Sequence, residues 1–218
     1  MFHNNSIYYF VYEKIIYYNI MEFISIGPYC SSADILKNNG LRNSSYPFDY
    51  IFSSLEMVKH CINDRFNIFL DKNYYKYSSE NSSYHLFYSK FIDTEILRKH
   101  HIANNVPDIA NNLINREIFL HHNLFNNDVY LSFVRRCNRL LNLIDNSNKI
   151  IFIYYNCYTN DFNDILDFYN NFSNNKNICV VGIFENSNDK KMLFESSNCK
   201  IYQNYDRNFI FNEIKSAF

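Results

Sequence analysis

Apolar positions along the chain fall into two patterns. One is the short, continuous run, found at residues 22–26, at Ile150 to Tyr155 and at Ile178 to Phe184, with a weaker run at Lys200 to Tyr202. Runs of this length, rich in β-branched and aromatic residues, predict strands buried on both faces. The other is the stripe that recurs every three or four residues and predicts a helix with one apolar side. Tyr130, Val134, Cys137, Leu141 and Ile144 make the clearest stripe. Leu55, Val58 and Ile62 make a shorter one over Ser54 to Ile62, with Ser53 or Ser54 placed to cap it. Ser31 to Asn39 and Asp161 to Phe172 also read as helices, a terminal helix starts at Arg207, and Pro107 can open another at its first turn. Asp71 to Ser89 is polar and aromatic without a clean period, which predicts loop with one or two short strands.

Strand, helix, strand, helix alternation in the last third, with fully apolar strands, predicts right-handed βαβ crossovers. The expected fold is therefore α/β, a single domain over residues 21–218 with a mostly parallel central sheet flanked by helices. The strand at 22–26 most simply joins that sheet. Sites in such sheets gather at the carboxyl ends of the strands, where Cys30 and the segment Asn156 to Asp161 would lie.

Residues 1–20 are apolar and aromatic, but Glu13 and Lys14 interrupt the run and no basic region or small-residue cleavage site frames it. It is too short and broken for a membrane span. The expectation is an extension upstream of a functional start at Met21.

Composition adds bounds. The chain has 218 residues, 47% of them apolar, enough to bury a sizeable core. It has 20 Tyr, 21 Phe and 36 Asn but no Trp, a bias toward A/T-rich codons that points to an AT-rich genome, viral or parasitic. Asn-Xaa-Ser matches at Asn4, Asn43, Asn81 and Asn171 are expected by chance in such a chain. A net charge of −1 argues against the basic footprint of a nucleic-acid binder. Six cysteines without CxxC pairs or a secretion signal predict free thiols in a reducing, cytoplasmic compartment. No Cys or His pair has ligand spacing except the adjacent His100-His101 and His121-His122, so no metal is expected, and no cofactor. A glycine-rich phosphate loop is also lacking.

Candidate chemistry centres on Cys30. Gly27 and Pro28 break the first strand, and Cys30 stands just before the helix from Ser31. Unpaired helix N–H groups there favour negative charge, so its pKa is expected to fall below that of a free cysteine. His121 and His122 end the apolar run Ile118 to Leu120, and a neutral imidazole at a strand end can accept a thiol proton. The alternative is a surface histidine pair with no partner. Asp49, in Tyr46-Pro47-Phe48-Asp49-Tyr50, either orients a histidine or caps the turn. Arg135, Arg136 and Arg139 either grip an anion or form a solvated helix face, and the second needs no ligand.

The segment from Ile24 to Ile51 resembles the opening motif of the DUF1796 family, described as papain-like cysteine peptidases. The matching positions are Gly27, Cys30, Gly40, Leu41, Arg42, Pro47, Phe48, Asp49 and Tyr50, and His122-Asn123 ahead of the arginines resembles the family's later His-Asp element. Asn123 stands where that element has an acid. The resemblance implies Cys30 as nucleophile and His122 or His121 as base, in a cysteine peptidase or related thiol acyl hydrolase acting on a peptide or acyl substrate. Asp49, Asn156 and Asp161 are the alternatives for orienting the imidazole. It also implies a papain-like α+β fold as the alternative to the α/β reading. A non-catalytic α/β protein that binds a protein partner, with the same residues stabilising a turn, is the competing function.

Overall fold

A computed structural model describes residues 21–103, 118–157, 161–185 and 190–217. The N-terminal extension and the helix expected at Pro107 lie outside these residues.

Five strands form the main sheet: β1 (Met21–Ser25), β4 (Lys149–Asn156), β5 (Ile178–Phe184), β6 (Lys191–Glu195) and β7 (Cys199–Gln203). Their order is β1-β4-β5-β7-β6. All neighbouring pairs are parallel except β6 with β7, so the architecture is the α/β arrangement and not the papain-like α+β alternative. The physical reason is visible in the strands. β5 is buried along its whole length and β4 everywhere but its first residue, as central strands covered on both faces must be.

Helices supply the two covers. α1 (Ser31–Asn38) and α6 (Arg207–Ala217) lie on one face, where Ile35, Leu36, Ile210 and Ile214 meet Phe23, Ile151, Ile153 and Val181. The other face carries α2 (Leu55–Asn63), α4 (Asn127–Asp145) and α5 (Phe162–Phe172) against Ile24, Phe152, Tyr154 and Val180. A smaller hairpin, β2 (Tyr75–Ser79) with β3 (Ser82–His85), extends this second layer and is bridged to Phe119 through Ser83. Between them the aromatic rings of Phe48, Phe66, Phe69, Phe119 and Phe133 pack in a connected cluster. This is where the chain's phenylalanine excess is buried. α3 (Thr94–Ala103) follows the hairpin, opened by Asp93, whose Oδ1 accepts the N–H of Glu95 at 2.7 Å.

Sequence expectation and structure differ in detail at two elements. β6 was not foreseen, because its apolar residues are only half-buried at the sheet edge and its ends are charged. In α4 the fully buried residues are Phe133, Cys137 and Leu140, so the centre of the inward face runs beside the expected stripe, whose Tyr130, Leu141 and Ile144 are partly buried against the same core.

Candidate active site

β1 delivers the chain to the candidate thiol through a turn that only glycine fits. Gly27 has φ of +131°, and a Cβ there would stand 2.8 Å from Ser53 Oγ and 3.2 Å from the Ser53 carbonyl. Ser53 closes over the turn by donating its N–H to the Pro28 carbonyl at 3.1 Å. Ser32, fully buried in the first turn of α1, donates its hydroxyl to the Gly27 carbonyl and accepts the Tyr155 N–H at 3.2 Å. The start of α1 is thereby fixed to the carboxyl end of β4. Tyr29 makes the same connection from the other side, its hydroxyl 3.0 Å from Cys157 Sγ and accepting the Cys157 N–H at 3.1 Å.

Cys30 occupies the N-cap of α1 and is half-buried. Its own N–H and that of Ser31 favour the thiolate, as expected at a helix start, but burial and then the charge of Asp34 outweigh them, so its pKa is raised. The expected depression is therefore corrected. Asp34 lies one turn along the same helix and accepts a hydrogen bond from the Tyr50 hydroxyl at 3.0 Å. The other half-buried cysteine is Cys157, while Cys61, Cys137, Cys179 and Cys199 are buried, and all six are free.

Asp49 is 1% exposed and serves the turn. Its Oδ2 accepts the Tyr46 N–H at 2.9 Å and Arg42 Nε at 3.0 Å. Burial pushes its carboxyl pKa up, against the pull of the Tyr46 N–H, Arg42 and Arg136. Arg42 also donates to Ser45 Oγ at 2.7 Å, and Arg139 of α4 donates to the Ser45 carbonyl at 2.5 Å. The arginine cluster is thus not simply a solvated face. Arg139 and Arg136 turn toward the 42–49 loop, and Arg135 alone is fully exposed.

His121 is exposed, while His122 is half-buried with its ring edge-on to Phe133 at 5.2 Å between centroids. Arg136 lies over that same phenyl ring at 4.7 Å. Burial, followed by the charge of Arg136 and by His121, lowers the His122 pKa to about 4. His122 Nε2 and the Nε and Nη1 of Arg136 are buried with no hydrogen-bond partner among the described residues.

Arg136 therefore faces both Asp49 and His122. Cys30 stands apart: its electrostatic neighbours are Asp34 and the two amides, and no described hydrogen bond joins it to His121, His122 or Asp49. Asn156 and Asp161, the other candidates for orienting an imidazole, bond to each other at 2.7 Å, and the Tyr154 hydroxyl donates to the same carboxylate. Sequence reasoning missed Asp34 beside the thiol. Its signal was present, since a residue four positions after a helix cap lies directly above it.

The structure is thus an α/β protein with a mostly parallel sheet, in which two half-buried thiols, Cys30 after β1 and Cys157 after β4, stand at the carboxyl side of the sheet. The chain matches the DUF1796 family model, whose description reads "Putative papain-like cysteine peptidase", over residues 21–181, and belongs to that family. No curated protein and no solved structure is significantly similar to it.

Proposed function

We propose that the chain is a cysteine-dependent acyl hydrolase, of peptidase type, with Cys30 as the nucleophile. The observation that carries this reading is the position of the thiol, half-buried at the N-cap of α1, where its own N–H and that of Ser31 favour the thiolate. Family membership over residues 21–181 supports a cysteine peptidase. In the reaction a base removes the Cys30 proton and the thiolate sulfur attacks the acyl carbonyl carbon. The N–H groups at the start of α1 hold the oxyanion, the bond to the leaving group breaks as that group takes up a proton, and water then hydrolyses the thioester.

His122 is the base this reading assigns, with His121 beside it. With a pKa of about 4 its imidazole is neutral near pH 7 and has the free lone pair that a base needs. The same low value makes proton transfer from a raised thiol steeply uphill. The pair is not preformed, so the reading requires that substrate binding bring thiol and imidazole together. Six free thiols suit a reducing, cytoplasmic compartment. Hydrolysis of a chromogenic acyl thioester by wild type, Cys30→Ser and Cys157→Ser tests the proposal. Turnover lost in Cys30→Ser and kept in Cys157→Ser supports it, and equal rates in all three overturn it.

A specific observation favours a second reading, a non-catalytic protein that binds a protein partner. Asp49 is spent on the Tyr46 N–H and Arg42, His122 packs against Phe133 beside Arg136, and neither is an electrostatic neighbour of the thiol.

A further inference from the structure

Two cavities, of about 370 and 400 Å³, lie side by side along α2 and share Glu56, Lys59 and Phe91. Together they form one groove, with α2 as one wall and α5, bearing Asp164 and Asp167, as the other. Phe91, Ile92, Ile96 and Phe168 give it an apolar floor. A nine-residue helix is about 13 Å long, room for roughly four residues of extended chain.

The charge in the groove is one-sided. Glu56, Asp93, Asp161, Asp164 and Asp167 line the first cavity against Lys59 as the basic residue. Asp93 is committed to capping α3, and Asp161 to Tyr154 and Asn156. Glu56 and Asp164 have no hydrogen-bond partner among the described residues, and they face each other across the groove closely enough to interact. Burial, then Asp161, Asp167 and Glu56, push the Asp164 carboxyl up, and Lys59 offsets them only in part, so negative charge in the groove exceeds positive. The groove also displays the group it accepts. Lys59 reaches across from α2 to Asp167 on α5, with its ammonium 2.5 Å from the carboxylate.

We infer that this groove binds a polypeptide segment bearing lysine or arginine, its cationic head between Glu56 and Asp164 and an apolar neighbour on Phe91. A metal ion is not the fitting occupant, since no group of three or more ligating side chains is gathered among the described residues. Cys30 does not line the groove, so this function goes beyond the proposed hydrolysis and does not require it.

Fluorescence anisotropy of a labelled Lys-Phe-Lys-Phe-Lys-Phe peptide, measured in the Cys30→Ser background so that turnover plays no part, tests the inference. The peptide binds, its glutamate counterpart does not, and affinity falls as salt rises from about 50 to about 300 mM. Glu56→Gln with Asp164→Asn weakens binding about tenfold, while the charge-matched pair Glu80→Gln with Asp128→Asn leaves it within about twofold. Lys59→Met frees Asp167 and tightens binding severalfold, a gain that misfolding cannot imitate. Equal binding of the acidic peptide, or equal loss in the control pair, overturns the inference. So does spermine displacing the peptide at or below the peptide's own concentration, which would make the occupant a free polyamine.

Discussion

Arg42 Nε donates to Asp49 Oδ2 at 3.0 Å and joins the two ends of the Gly-Leu-Arg to Pro-Phe-Asp segment into one folded unit. The carboxylate also accepts the Tyr46 N–H, and Arg139 ties the same loop to α4 through the Ser45 carbonyl. The most recognisable stretch of the sequence after the thiol is therefore a structural clasp. Asp49→Ala leaves Arg42 uncompensated and removes the amide's acceptor, so stability falls by about 3 kcal/mol. Asp49→Asn keeps the acceptor and costs less. Urea denaturation at pH 7 measures both, and an unchanged midpoint for Asp49→Ala would show that the carboxylate does not hold the fold.

Alkylation by iodoacetamide reads the state of the thiol. With burial and Asp34 raising its pKa, Cys30 reacts slowly at pH 7 and its rate climbs in the alkaline range. Asp34→Asn removes the like charge and shifts that onset to lower pH. Cys61 and Cys137, pushed well above the ordinary value by burial, stay unmodified until the chain unfolds. Peptide mass spectrometry across pH 6 to 10 (roughly the range over which thiols ionise) separates the sites. Fast labelling of Cys30 below neutral pH would contradict the assignment of Asp34.

Two histidines, His85 buried and His122 half-buried, set the acid limit of the fold. Burial lowers His85 and His122 to about 4, whereas an unfolded histidine titrates near 6.5. Between those values the unfolded chain binds more protons, so stability is fully present above about pH 6.5 and is lost as pH falls toward 4. Each histidine contributes on the order of 2 kcal/mol to that loss. His122→Leu removes an unpartnered buried nitrogen, keeps contact with Phe133 and flattens roughly half the slope. Chemical denaturation at a series of pH values from 7.5 to 4 gives the comparison (about the window set by the two histidines), and a parallel slope in the variant would remove His122 from the account.

Gly27→Ala is expected to be the costliest small substitution near the thiol. Its φ of +131° is closed to an L side chain, and the new methyl would meet Ser53. The loss should be about 2 to 4 kcal/mol. Adding Ser53→Ala relieves the contact with Oγ but leaves the backbone strain, so it recovers only part of the loss. Thermal unfolding of the single and double variants distinguishes the two contributions, and full recovery would mean that strain plays no role.

How far the sequence carried the fold depended on where each residue ended up. β4 and β5 were legible because central parallel strands are apolar on both faces, and α2 was legible down to a serine cap at 53 or 54, of which Ser54 accepts the Met57 N–H. β6 was not, since an edge strand needs only half a hydrophobic pattern. At the site, the cap position of Cys30 was readable from Gly27, Pro28 and the helix that follows. Its ionisation was not, because local dipoles are written in the sequence while burial belongs to the tertiary structure. The inward turn of Arg136 and Arg139 was hidden for the same reason: their partners lie on the loop before α2, far away along the chain.

Tyr29 and Cys157, hydrogen-bonded at the ends of β1 and β4, are 128 positions apart. Among the described residues β1 has no other strand beside it in the sheet. During synthesis the first strand must therefore wait, unpaired and apolar, until β4 has left the ribosome, while the β2–β3 hairpin and the aromatic cluster around it can already close. The thiol is among the first of these residues to be made and among the last to be put in place, so a truncated or stalled chain would display Cys30 beside Asp34 but without the burial that does most to raise its pKa.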